Sequence, residues 1–375
     1  MFHNHHHHWH FLLRHELGSV YFSVALRAFA LSLLGIFVPL YLMKDQGFSL
    51  QQTLGAYLFY AVVLALSTPL AAAFSARFGM KHAVLLSAPL YLGFLFFLYF
   101  LPVHRVSLLF PAAFLGLSIA FYWMGMHQVM YRLSTKKHRG EALGKQKAIT
   151  ILGTIAGPLT GGFIISSFGF SPLFAIAAGI LLLSAGILFL NKDGHAPYHF
   201  SFRSLVPGKP EWKNSLFFAS QGTRVIAEGV LWPIFVFFLL NNYLSLGFLG
   251  TLLSGIGASL LWFMGMASDH HNRRRLVRWV TPLESVSWFL RSLVVTFPQI
   301  LGATIFGAII GGIREVPLSA LEYDKARGEI TSYFVYREIF ICLGRVFLLT
   351  LVLMTDSLAG GLFFQGLANF AVFLF

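Results

Sequence analysis

The sequence predicts an all-α polytopic membrane protein, with twelve transmembrane helices folded as two six-helix, pseudo-symmetric bundles. Three observations predict it. The composition is strongly apolar, apolar stretches long enough to cross a bilayer recur along the whole chain, and charged positions in the second half echo those in the first.

Of 375 residues, 57% are hydrophobic and 11% charged, whereas an ordinary soluble domain carries roughly 25% charged residues. Mean hydropathy is +0.73. A hydrocarbon core of about 30 Å needs around 20 apolar residues per helical span. That criterion places spans near 20–43, 54–76, 83–101, 106–131, 147–168, 171–190, 214–240, 244–267, 276–297, 299–320, 332–355 and 357–375. Alternating segments of about ten residues, the mark of a membrane barrel, do not appear in the pattern, and helices satisfy their own backbone in lipid.

A net charge of +13 suggests nucleic acid as a partner until the charges are located. Lys and Arg gather in alternate loops: Arg77 and Lys81; Arg132 to Lys147; Lys192 to Lys213; Arg273, Arg274, Arg275 and Arg278; Lys325 and Arg327. The intervening loops hold Lys44 and Arg105. This asymmetry is the positive-inside pattern with both termini cytoplasmic. It argues against a soluble DNA-binding role and for a multi-pass protein of a bacterial or archaeal inner membrane. The single cysteine, Cys342, falls within a span and forms no disulfide framework inside the chain. The N-terminus lacks the short apolar region and small-residue site of a cleavable leader, so none is expected.

The most polar internal stretch, "NKDGHAPYHFSFRSLVPGKPEWKN" at 191–214, follows the sixth span. It divides the chain into a His-rich tail (1–19), a first bundle (20–190), a linker (191–213) and a second bundle (214–375). Equivalent positions recur across that divide. Arg27 matches Arg224 at an offset of 197, "IFV" at 36–38 matches 234–236 at 198, and the loop "KHRGE" at 137–141 matches "KARGE" at 325–329 at 188. Two halves of like direction imply a two-fold axis along the membrane normal, with a substrate site between them.

From the N-terminus onward, particular elements carry chemistry. "MFHNHHHHWHFLLRH" supplies His3, His5, His6, His7, His8 and His10, a tract able to bind a transition metal, or else a tail with no transport role. Arg27 lies within the first span. In the fourth, "FYWMGMHQVMY" sets Trp123 and His127 one turn apart, either lining a cavity or lying at the membrane interface. In the fifth, "GTIAGPLTGG" puts Gly153, Gly157 and Gly161 on one face beside Gly162, which admits a close neighbour, while Pro158 favours a bend.

The second half carries most of the buried charge. Arg224 and Glu228 in the seventh span are four apart and share a helix face. A charge at mid-bilayer costs about 2.5–3.5 kcal/mol on insertion scales, so such residues face protein or a wet cavity and find partners. Two readings stand: a static pair needed for assembly, or Glu228 as a carboxylate that exchanges between Arg224, a proton and substrate. Trp232 extends the same face. Glu284 and Arg291 in the ninth span are seven apart, and Glu284 is the second candidate acid. Arg314 with Glu315, and Arg337 with Glu338, are sequence neighbours on different helix faces, so each is expected to pair between helices rather than with its neighbour. With Arg345 they suggest a charge network that locks the halves.

The chain resembles the major facilitator superfamily over essentially its whole length. The loop "AFSARFGMKH" is similar to that family's signature loop, with Arg77, Gly79 and Lys81 in place, Ala76 where the family has an acid and Ala72 where it has a glycine. "GTIAGPLTGG" resembles the Gly-Pro motif of the drug/proton antiporter branch, and "RGEALG" before it is also family-like. The resemblance implies alternating access and no enzymatic activity. In the superfamily's organophosphate antiporters, arginines of the first and seventh helices bind an anionic substrate, and Arg27 with Arg224 are similarly placed.

The expectation is therefore a monomeric secondary transporter that exchanges protons for an amphipathic or anionic organic solute in the outward direction. Glu228 and Glu284 would couple protons; Arg27, Arg224, Trp232, Trp123, His127 and Arg291 would bind substrate; Arg77, Lys81, Arg314, Glu315, Arg337, Glu338 and Arg345 would gate. The partners expected are a small molecule, protons and the lipid bilayer, with no cofactor. The alternatives are a metal or lipid transporter of the same fold, or a non-transporting receptor or assembly factor. A phosphate-cradling GxxxxGK[ST] loop is absent from the sequence, which argues against an ATP-driven pump within this chain.

Overall fold

The computed structural model describes residues 16–104, 106–133, 149–189, 212–267, 273–325 and 330–375. Among them are twelve helical segments and no strand. They are α1 (Gly18–Asp45), α2 (Leu50–Phe78), α3 (Met80–His104), α4 (Leu109–Leu133), α5 (Ile149–Phe168), α6 (Phe170–Phe189), α7 (Trp212–Leu240), α8 (Tyr243–Ala267), α9 (Arg273–Leu293), α10 (Phe297–Lys325), α11 (Ile330–Thr355) and α12 (Leu358–Leu374). Ten of these are long and apolar enough to cross a membrane. The exceptions are the short α12 and α9, whose first turns carry Arg273, Arg274, Arg275 and Arg278.

Local sequence explains where helices start and stop. Ser49 caps α2 and Gln52 reciprocates, with hydrogen bonds of 3.1 and 2.9 Å. Ser357 caps α12 by accepting from the Gly360 N–H at 2.9 Å. Between α2 and α3 the chain turns on Gly79 alone, at φ 111°, a conformation that a side chain would strain. That requirement explains the glycine of "ARFGMK".

The helix pairing repeats. In the first half α1 packs on α5 and α6, α4 on α2 and α3, and α3 on α6. In the second, α7 packs on α11 and α12, α10 on α8 and α9, and α9 on α12. Between halves α2 meets α11 and α5 meets α8, which are again equivalent pairs. Each of these pairings thus maps onto its counterpart six helices later, the arrangement expected of parallel repeats.

Small residues make the closest of these contacts. A Cβ on Gly153 or Gly161 would run into the backbone of Ala25 or Leu33 on α1, and one on Gly157 into Ser32. The equivalent α7–α11 contact is built from Gly222, against Ile341, and Gly344, against Ala219. Gly162 faces Tyr243, and Pro158 sits against Gly247 and Gly250, so the remainder of the glycine-proline motif belongs to the α5–α8 boundary between halves. Thr251 Oγ1 reinforces that boundary, donating to the Ile155 carbonyl at 2.8 Å and accepting from the Leu159 N–H at 3.1 Å. At the end remote from the basic loops, Tyr243 joins the halves by packing against Phe37, Phe170 and Phe237 and donating to Asp45 at 3.0 Å.

Candidate functional site

The buried charges of α7, α9 and α10 form one cluster. On α7 the helix widens to a π turn over Ala227–Leu231. Pro233 lacks an N–H and crowds the carbonyl four residues earlier, which favours such a widening. The turn re-aims Glu228, and π turns recur at functional sites. Arg224, Glu284 and Arg314 lie eleven or twelve residues from the basic ends of their helices, roughly 17 Å along each, so they meet at one depth.

Three carboxylates converge on Arg224. Its Nε lies 3.1 Å from Glu284, its Nη1 3.3 Å from Glu315 and its Nη2 3.5 Å from Glu228. Arg314 contacts the other oxygen of Glu284 and donates to Gln221 Oε1 at 3.3 Å. Arg291 lies 3.9 Å from the second oxygen of Glu228 and is sandwiched by Trp288 and Trp232, at 4.4 and 5.2 Å from their ring centres. Gly307 of α10 leaves the space that the Arg291 guanidinium occupies. Three guanidinium groups therefore alternate with three carboxylates, and their formal charges cancel.

The cluster has a closed end and an open one. Side-chain exposure is 1% at Arg314 and 5% at Glu284, against 32% at Glu228 and 37% at Glu315. At the closed end Glu284 lies between two cations. At the open end Glu228 is held loosely by two arginines, at 3.5 and 3.9 Å, and its side chain is about a third exposed.

A second group sits at the basic-loop end of the boundary between halves. Arg337 donates to Glu322 of α10 at 2.9 Å and also contacts Glu338. Glu338 is 3.9 Å from His127 Nε2 of α4. The His127 ring stacks on Phe334 of α11 at 4.2 Å and on Trp123 at 5.3 Å. Gln128 accepts from Ser75 at 2.7 Å within the first half. The contacts of His127 with Glu338 and Phe334 join α11 to α4, and deeper in the membrane, fifteen residues along α11, Arg345 donates to Tyr60 of α2 at 2.8 Å.

Several sequence expectations change in detail. Arg314 and Glu315 pair between helices as expected, but within the Arg224 cluster rather than the boundary network. Arg337 and Glu338 do meet each other, contrary to expectation, because two long side chains reach around the helix while Arg337 also bridges to Glu322. Arg27 and Arg224 are not brought together: Arg27 faces Tyr91 and Tyr122 of its own half, and Arg224 faces carboxylates of its own. Arg77 is exposed over Phe78, and Lys81 is buried. The histidines from His3 to His10 lie outside the described residues. Sequence reasoning missed Glu322, Gln221, Tyr60 and Gly307; a lone acid at a helix end, or a small residue opposite a charge, gives only a faint signal.

The two-bundle helix pairing and the polar cluster inside it are those of a membrane transporter. Residues 20–243 match the model of the Major Facilitator Superfamily, and the chain belongs to that family. Its members are transporters rather than enzymes. The Bacillus subtilis protein YqgE is 24% identical over 269 residues, 65% of this chain and 61% of that one. The Streptococcus pneumoniae multi-drug resistance efflux pump PmrA is 27% identical over 56% of each chain. The chain thus spans about three fifths of the length of YqgE and somewhat over half that of PmrA in these matches. The Escherichia coli multidrug resistance protein MdtG is 26% identical over 84% of this chain and 82% of its own. Among solved structures, the transporter FucP in its outward conformation superposes with a TM-score of 0.71 at 11% identity, covering 96% of this chain and 98% of FucP. At that identity the likeness concerns the fold alone.

Proposed function

We propose that the chain is a proton-coupled antiporter that exports a small amphipathic or anionic organic solute by alternating access between its halves. It acts as a monomer in the inner membrane of a bacterium or archaeon, with both termini in the cytoplasm. One observation carries the reading: a carboxylate, Glu228, sits on a π turn at the open end of an otherwise buried, charge-balanced cluster, between two arginines at 3.5 and 3.9 Å. Protonating Glu228 leaves Arg224 and Arg291 in excess, and an anionic or strongly polar group can then neutralise them. Deprotonation restores the internal pairs and expels that group. Competition of this kind between proton and substrate is sufficient for antiport. Trp232 and Trp288, buried against Arg291 in this conformation, would supply an apolar wall once the Arg291–Glu228 contact opens. Relatives named for multidrug efflux agree with the direction of transport.

Glu284, enclosed by two arginines, serves in this scheme as a fixed counter-ion. The second polar group closes the cytoplasmic side, with Glu338–His127 and His127–Phe334 as the contacts that separate when that side opens. The test is proton flux in liposomes containing the purified chain, read by an internal pH dye while organic anions, cationic amphiphiles and divalent metals are offered in turn. A response to one organic class, abolished by Glu228→Gln in protein that still elutes as a single species, is expected. Unchanged coupling in Glu228→Gln would overturn the role of Glu228. A response to divalent metals alone would replace the organic solute with a metal.

A further inference from the structure

Among the described residues, the N-terminal half contains a cation, Arg27, for which no ion pair with an acid is seen. Arg27 of α1 is 5% exposed, and its Nε and Nη2 are buried without a hydrogen-bond partner. Its guanidinium carbon lies 4.0 Å from the centre of the Tyr122 ring and 5.8 Å from that of Tyr91. Ring faces attract the charge but accept little from its in-plane N–H groups. As far as residue 189 the chain has three acids, Glu16, Asp45 and Glu141. Glu16 and Asp45 are eleven and eighteen residues from Arg27 on the same helix, roughly 16 and 27 Å away along it. Asp45 is engaged by Tyr243 instead, and Glu141 lies outside the described residues.

Beside Arg27, between α1, α3, α4 and α6, lies a cavity of about 20 Å³, room for one water-sized group. Arg27, Ser23, Ser184 and Tyr122 are its polar lining, and Val84 and Met126 are among its apolar walls. Ser23 and Ser184 fix the neighbouring wall by exchanging hydrogen bonds with each other's carbonyls at 2.9 and 2.8 Å. A buried charge with unanswered N–H groups is strongly disfavoured unless it is paired. A water molecule would accept a hydrogen bond here without balancing the charge. A monatomic anion makes the smallest demand on that space, and a carboxylate is the competitor to be tested.

We propose that Arg27 holds a single halide-sized inorganic anion, chloride under cellular conditions, in this cavity. It is a structural anion site within the N-terminal half, separate from the Arg224 cluster and independent of the antiport reading. The anion would do for Arg27 what three carboxylates do for the arginines of the other half.

The purified full chain in detergent tests this at fixed pH and ionic strength, with sodium chloride exchanged stepwise for sodium gluconate. The thermal midpoint and the chlorine NMR line width are read together. A saturable rise of a few degrees with chloride or bromide, but not with sulfate or gluconate, is the expected linkage of a site present only in the folded chain. Arg27→Gln should remove the dependence and Arg27→Lys should keep a weaker one. If Arg27→Gln does not fold, the unaltered chain still decides, because protein-bound chloride should broaden the line and bromide should reverse it. Equal midpoints in chloride and gluconate without excess broadening would overturn the proposal. So would a chloride effect that persists in Arg27→Gln, or acetate stabilising more than chloride in a manner lost with Arg27→Gln.

Discussion

In the first half, Gly153, Gly157 and Gly161 seat α5 against α1; in the second, Gly222 and Gly344 seat α11 against α7. The interiors beside these matching seams differ. Near α1 there is one arginine among tyrosines and serines, whereas near α7 three arginines interlock with three glutamates. Close backbone packing is needed wherever two helices cross in lipid, so the small residues recur in both halves. Polar interiors are tolerated only where they are used or neutralised, and nothing requires both halves to use them alike. Shared architecture and unequal chemistry therefore have separate physical causes.

The largest expected effect breaks the charge comparison. Arg314→Met leaves Glu284 with one cation fewer in a buried site, and losing one partner of such a pair costs roughly 3–5 kcal/mol. Arg27→Met strands no carboxylate and should cost far less. Thermal midpoints of the two variants in the same detergent, with similar losses, would contradict the difference drawn between the halves.

The seams themselves give the next effect. Gly222→Ala pushes a methyl group against the Ile341 backbone, and overpacking costs about 1–3 kcal/mol. Gly157→Ala first meets the Ser32 hydroxyl, which can turn aside, so its loss should be smaller. The yield of monodisperse protein and its midpoint compare them.

Tyr60→Phe removes the 2.8 Å hydrogen bond from Arg345 and loosens α2 from α11. A hydrogen bond from a charged group is worth about 1.5–3 kcal/mol. Cys342 is buried at that boundary and is the chain's one cysteine, which makes it a built-in probe. Its maleimide labelling should quicken at least about tenfold, the factor that 1.4 kcal/mol represents. An unchanged rate would mean that Arg345–Tyr60 does not help to hold α2 against α11. The smallest effect is expected for Glu315→Gln. At 37% exposure its pair with Arg224 should contribute less than about 1 kcal/mol, seen as a midpoint close to the unaltered chain's.

Much of this was legible in the chain. The expected spans differ from the observed helices by a few residues, as at 83–101 against Met80–His104 and 276–297 against Arg273–Leu293. The repeat was visible in Arg27 and Arg224, and their shared offset does mark equivalent helices. It did not mark equivalent surroundings. Arg224 and Glu228 were legible as neighbours because four residues make one helical turn. That Arg224 also serves Glu284 and Glu315, and that Arg337 reaches both Glu322 and Glu338, could not be read from spacing within one helix.

By itself the sequence determined the apolar spans, their alternation with basic loops, the division into halves and the glycine seams. Each depends on properties local to one helix: its length, its hydropathy and the residues sharing its face. Tertiary structure alone decided which charges meet, which glutamate remains accessible and which arginine is left without an acid. Those outcomes depend on how three or more helices rotate about their axes to share one depth in the membrane, and a side chain's partner there is set by residues distant in the chain.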